Sequence, residues 1–209
     1  MSRELDINQR VRTSLRRHAH QLIAAGYALL TPSVYATWKE PDITGELCRA
    51  MSDYMASDDA PGWIIQYALR DDPKLNVPGK HGESRPRIDI ELERVQRGPR
   101  PLFRFEAKRL GPNHRVGKYL GSEGLGAFLS GYYPLTHPEA GMLGYIQERD
   151  IPHWSHALKA ALAANADQRL TAGGMTEDKQ APGLATWRTQ HQDTQGDTIS
   201  LWHSLLLFC

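Results

Sequence analysis

Residues 85–110, RPRIDIELERVQRGPRPLFRFEAKRL, constrain this chain more than any other stretch. In the first arm Ile88, Ile90 and Leu92 alternate with Asp89, Glu91 and Glu93, the period of a strand with two unlike faces. In the second arm Phe103, Phe105 and Ala107 alternate with Arg104, Glu106 and Lys108, and Gly98 and Pro99 supply turn chemistry between the arms. Paired as an antiparallel ladder, the arms bring Asp89 near Glu106 and Lys108 on one face. Ordinary cross-strand ion pairs on a solvated sheet would produce the same pattern. Two carboxylates converging at a strand end repel, however, unless a cation lies between them, so a magnesium site is the simplest resolution.

A chain of 209 residues is enough for one domain with a substantial core, and it is read as a single domain over 1–209. Cys48 and Cys209 offer neither metal spacing nor a disulfide framework, which points to a reducing cytoplasm. No stretch approaches the roughly 20 apolar residues of a membrane span, and no signal-peptide core is seen, so no membrane partner is expected. Net charge is only +1, yet residues 85–118 hold ten Arg or Lys against four Asp or Glu. That local excess around the hairpin suits a phosphate-bearing substrate, or else solvated charge on both faces of the hairpin.

The remaining chain reads as helices and strands in a definite order. A helix is expected over about 6–30, with Ile7, Val11, Leu15 and Leu22 on one stripe and Asp6 with Gln9 as a capping box. His18 and His20, two apart, are expected on solvated surface. A second helix is expected from Asp42 as N-cap, carrying Ile43, Leu47, Met51 and Met55, with Glu46 beside that stripe. WIIQYALRD reads as a strand and PKLNVPGKHGES as a loop. After the hairpin, GPNHRVGKYLGSEGLG opens a helix running to about Tyr132. It matches neither a dinucleotide fingerprint nor a P-loop. Residues 141–148 read as a buried strand, Pro152 begins a helix that ends near Gly173, and LATWRTQ and TISLWHSLLLF read as two strands. The five tryptophans, Trp38, Trp63, Trp154, Trp187 and Trp202, are expected in the core.

The hairpin, with its Asp on one strand and Glu106-Ala107-Lys108 on the next, closely resembles the PD-(D/E)XK nuclease superfamily, also called restriction endonuclease-like. The proline of that motif is not directly before Asp89, where Ile88 stands, although Pro86 is near. The resemblance implies an α/β fold with an αβββαβ core over about 41–148 and a mixed central sheet. The N-terminal helix, a C-terminal helix and further β-strands are additions to it. It also implies that Asp89, Glu106 and Lys108 are catalytic, and that Glu46 joins them from the first core helix. Mg²⁺ or Mn²⁺ would then be held by Asp89, Glu106, the Ala107 carbonyl and Glu46. Lys108 would orient the attacking water or stabilise the transition state.

Arg85, Arg87, Arg109, His114, Arg115 and Lys118, with Tyr119, flank this site and are the candidates for holding nucleic acid, DNA before RNA. Lys118, Tyr119 and Glu123 are also candidates for the polar residue that the superfamily often places on the following helix. No helix-turn-helix or zinc finger is present, so specificity would come from loops, a homodimer or an activating protein partner. By analogy, the expected role is an effector nuclease of bacterial anti-phage or genome defence. Two other readings stay open: a branched-DNA repair or recombination nuclease, and a catalytically silent nucleic-acid-binding subunit.

Overall fold

The computed structural model describes residues 2–166, 169–171 and 173–209, with side chains from Gln9 onward. Helix α1 (Ser2–Ala28) is followed by α2 (Glu40–Ala56), β1 (Tyr67–Asp71), β2 (Ile90–Arg94) and β3 (Leu102–Leu110). Two short helices come next, α3 (Val116–Leu120) and α4 (Leu125–Leu129), then β4 (Glu139–Ile146) and α5 (Ile151–Ala164). The chain ends in β5 (Thr176–Glu177), β6 (Ala185–Gln192) and β7 (Thr198–Leu207).

The strands form one seven-stranded mixed sheet in the order β1-β2-β3-β4-β7-β6-β5, so the protein is α/β. β1, β2 and β3 are antiparallel, with Ile90 opposite Phe105 and Leu92 opposite Phe103 as the alternation requires. β4 lies parallel to both β3 and β7. Parallel neighbours need crossovers, and α3–α4 and α5 provide them, all on one face of the sheet, while α1 and α2 cover the other. One face, bearing Phe103, Phe105, Ala107, Leu143 and Trp202, packs under α1 and α2. The other, bearing Leu110, Met142, Ile146, Leu201 and Leu205, packs under α3, α4 and α5. Leu15, Leu22 and Ile23 of α1 are fully buried, each worth about 1.5–3 kcal/mol of apolar transfer. Among the described residues no helix is long and apolar enough to cross a membrane.

Several boundaries differ from expectation for identifiable reasons. α1 already contains Asp6, which therefore does not cap it, and the Asp6 and Ile7 side chains lie outside those described. α2 begins at Glu40 rather than Asp42, because Pro41 with its fixed φ occupies the first turn. Trp63 precedes a 3-10 turn (Ile64–Gln66), so the first strand starts only at Tyr67. The segment after β3 is two short helices instead of one. At Gly124 a Cβ would stand 2.2 Å from the Tyr119 carbonyl oxygen, so this glycine lets the chain turn tightly between them. α5 begins as expected, with the Asp150 side chain accepting from His153 N at 2.8 Å, but it ends at Ala164, well before Gly173.

Two expectations about exposure are corrected. His20 is fully buried, its ring edge-on to Phe103 and Phe105, and His18 stacks on Trp63 at 4.1 Å between ring centroids. A histidine can therefore lie on the apolar stripe of α1, where spacing alone places no ligand partner. Glu91 and Glu93, on the polar side of β2, are also buried. Arg70 bonds both, Arg104 bonds Glu91 at 2.8 Å, and Arg100 bonds Glu93 at 3.2 Å. Buried charge on this scale stands only when paired, and here it is. Of the tryptophans, Trp202 and Trp154 are core residues, whereas Trp38 is exposed.

Candidate active site

The site begins with a break in the hairpin. Beyond Ile90 the first arm leaves β3: Asp72 N donates to the Asp89 carbonyl at 3.0 Å, and Ile88 N donates to the Pro73 carbonyl at 3.3 Å. This departure carries Ile88 into the core on the other side of the sheet from Ile90 and Leu92. It also takes the strand's own carbonyl away from Ala107 N. The Asp89 side chain takes over, Oδ2 accepting from Ala107 N at 2.6 Å. A buried backbone N–H needs an acceptor, so Asp89 both ends the ladder and is fixed against the Glu106-Ala107-Lys108 strand.

Glu106 projects beside it, almost wholly buried. Burial, and then the Asp89 charge, push its carboxyl up to about 8, against the Lys108 ammonium that bonds it at 2.6 Å and the neighbouring Tyr133 hydroxyl. Burial likewise pushes Asp89 up to about 6, although Ala107 N and the Lys108 charge pull it down. For Lys108, burial works against the charge, but Glu106 and Glu40 outweigh it and hold the ammonium above its ordinary value. The cluster thus carries more negative charge than its single ammonium satisfies, the condition that draws in a cation.

The donor set can be tested against that cation. Lys108 Nζ donates to Glu106 Oε1 at 2.6 Å, the Ala107 carbonyl at 2.7 Å and Glu40 Oε1 at 3.0 Å. Three hard oxygens therefore converge on one point beside Asp89, and their chemistry suits Mg²⁺ or Mn²⁺ better than a softer metal. Their spacing is that of an ammonium, since magnesium–oxygen bonds are about 2.0–2.1 Å. Among the described residues no group of three or more His, Cys, Asp or Glu is already arranged as a metal cage. Asp89, Glu106 and the Ala107 carbonyl would fit a divalent ion once Lys108 gives up both Glu106 and that carbonyl and keeps Glu40.

Glu46 does not join this cluster. It is held by Arg49 at 2.6 and 3.1 Å and lines a surface pocket with Thr37, Trp38 and Asp42 that meets the Lys108 side of α2 only through Lys39 and Pro41. The helix carboxylate at the site is Glu40, whose Oε2 also accepts from Arg109 N at 2.9 Å. Six residues along a helix is about 9 Å and most of two turns, so only one of the two can reach β3. The signal was Pro41: proline in the first turn marks Glu40 as the helix start. Tyr133 had no such signal, because it comes from the loop after α4.

The basic candidates divide into three groups. Arg109, His114 and Lys118 line a pocket of about 330 Å³ with Lys39, Glu40 and Lys108. Arg85 and Arg87 are engaged by acceptors of their own neighbourhood, Arg85 by Asn76 at 2.8 Å and Arg87 by Asp72 and Glu83. Arg115 is exposed at the start of α3. Tyr119 is not at the surface: it is fully buried, its hydroxyl 3.1 Å from His203 Nδ1. The helix that presents Lys118 outward turns the next side chain into the core.

No family model, curated protein or solved structure matches this chain.

Proposed function

We propose that the chain is a metal-dependent nuclease that hydrolyses phosphodiester bonds, with DNA as the substrate before RNA, by the chemistry of the PD-(D/E)XK superfamily. The observation that carries this reading is the meeting of Asp89, Glu106 and Lys108 at one point, fixed by the Asp89 bond to Ala107 N. The order α2, β1, β2, β3, helix, β4, with three antiparallel strands and then a parallel one, accords with the αβββαβ core of that superfamily.

In this reading Asp89, Glu106 and the Ala107 carbonyl hold Mg²⁺ or Mn²⁺. Such an ion, when bound, acidifies a water molecule and offsets charge on a phosphate oxygen. Glu40 keeps the Lys108 ammonium within reach of the attacking water and of the charge that develops on the phosphate. The nearby Tyr133 hydroxyl favours the charged form of Glu106. The cations around Arg109 and Lys118 hold the strand through its phosphates, without reading sequence.

A second reading has its own observation. Lys108 occupies the Ala107 carbonyl and Glu106, as it would in a silent binding subunit where the ammonium has replaced the metal. The two separate on purified protein given supercoiled plasmid, linear duplex, single-stranded DNA and RNA, with Mg²⁺, Mn²⁺ or EDTA. Metal-dependent cutting abolished by Asp89→Ala and by Lys108→Ala supports the nuclease. Full cutting by either variant refutes the assignment of its residue. Absence of both cutting and metal binding in folded protein favours the silent subunit.

A further inference from the structure

Beside the carboxylate cluster, the 330 Å³ pocket has more positive charge than its acids satisfy. Lys39 and Lys118 come from the start of α2 and from α3, Arg109 from the end of β3, and His114 from the tight turn between them. Of the two acids lining it, Glu40 is already committed to Lys108 and to Arg109 N. Among the described residues neither Lys39 nor Lys118 has an ion-pair partner within 4.0 Å. His114 is held below its ordinary value by burial and then by the Arg109 and Lys118 charges, which outweigh the opposite pull of Glu40. The turn is closed by Gly111 and His114, which exchange both backbone hydrogen bonds at 3.0 and 3.1 Å.

We propose that this pocket is a phosphate monoester subsite that seats the terminal phosphate of a nucleic-acid strand next to the carboxylate cluster. An internal diester carries one negative charge, whereas a terminal monoester carries about −1.5 to −2 near pH 7 and three acceptor oxygens. Three cations, Lys39, Arg109 and Lys118, with the His114 imidazole as a further hydrogen-bonding group, match the monoester better, and charge-assisted bonds to it are the strong ones. This inference rests on the nuclease reading for its substrate class. It makes the enzyme one that engages strand ends rather than continuous backbone.

The test is binding, not cleavage, and uses the full chain in EDTA. Fluorescence anisotropy compares one labelled oligonucleotide bearing a 5′-phosphate, a 3′-phosphate or hydroxyls at both ends, with inorganic phosphate as competitor. The expected result is affinity about tenfold or more higher for one phosphorylated end, lost in Lys118→Ala and in His114→Gln, and retained in Arg49→Ala, which does not line the pocket. The preferred end identifies the source of the monoester. Equal affinity for all three oligonucleotides overturns the subsite, as does a preference that survives both pocket substitutions. The nuclease reading fails separately, on absent metal-dependent cutting in the cleavage panel, so the two failures are told apart.

Discussion

Glu40 Oε1 accepts a hydrogen bond from the Lys108 ammonium at 3.0 Å, tying the first residue of α2 to a strand 68 positions further along the chain. Glu40 Oε2 holds the backbone of the next residue, Arg109, so the carboxylate clamps both the side chain and the strand that bears it. The clamp decides which acid of α2 belongs to the site.

Glu40→Ala should therefore lower kcat by about 10- to 100-fold, the usual cost of losing a residue that orients a functional group. Glu46→Ala should leave cleavage within about twofold, since an exposed carboxylate paired with Arg49 contributes little elsewhere. Steady-state cleavage rates of the two variants check this. The reverse ranking would return the helix role to Glu46.

Glu106 makes metal-free stability fall as pH rises. Its folded value, about 8, lies above its ordinary 4.5. The folded state therefore holds a proton that the unfolded chain has given up, and that advantage disappears as pH climbs from 4.5 through 8. Glu106→Gln, which keeps the shape without the charge, should melt higher than the unchanged protein at pH 9 and not at pH 5. Mn²⁺ or Mg²⁺ should raise the melting temperature of the unchanged protein at pH 9 and do so weakly in the variant. Scanning calorimetry in EDTA and with each ion reads both effects.

Acid should destabilise the fold through two histidines on opposite sides of the sheet. Burial holds His20 at about 4 and His203 at about 3, against an ordinary 6.5. Below pH 6.5 the unfolded chain takes up protons that the folded chain refuses, so stability is complete above 6.5 and falls as pH drops toward 4. Each contributes a loss of about 2 kcal/mol between pH 6.5 and 5. Urea denaturation across that range should show it, with a shallower slope in His20→Gln. Glu106 acts in the opposite sense over the same range, which makes the comparison with the variant the decisive one.

Tyr119→Phe should change stability and leave nucleic-acid affinity alone. Its hydroxyl meets His203 Nδ1 at 3.1 Å in a buried chain that continues from His203 Nε2 to Thr189 Oγ1 at 2.8 Å. Losing the hydroxyl should cost about 1 kcal/mol and leave His203 one partner short. Lys118→Ala, one residue earlier and exposed, should do the opposite. Chemical denaturation paired with anisotropy on the same two variants reads both quantities.

Local pattern in the chain determined the alternating arms of the hairpin, their antiparallel register, the residues that meet at Glu106-Ala107-Lys108, and the order of the main elements. These are short-range properties, because alternation sets which face a side chain takes and turn residues set where the chain reverses. Tertiary structure decided what pattern cannot encode. The bend at Asp89 exists because residues 72–75 capture the backbone around Ile88, which frees the Asp89 carboxylate for Ala107 N. Glu40 rather than Glu46 reaches Lys108 because Pro41 starts the helix at Glu40, whose carboxylate meets the end of β3, while Glu46 pairs with Arg49. Tyr133 touches Glu106 from a loop with no periodicity to announce it. Burial of His20, Glu91 and Tyr119 came from neighbours distant in sequence, Phe105, Arg70 and His203, which supply the packing and hydrogen bonds that make a polar interior affordable.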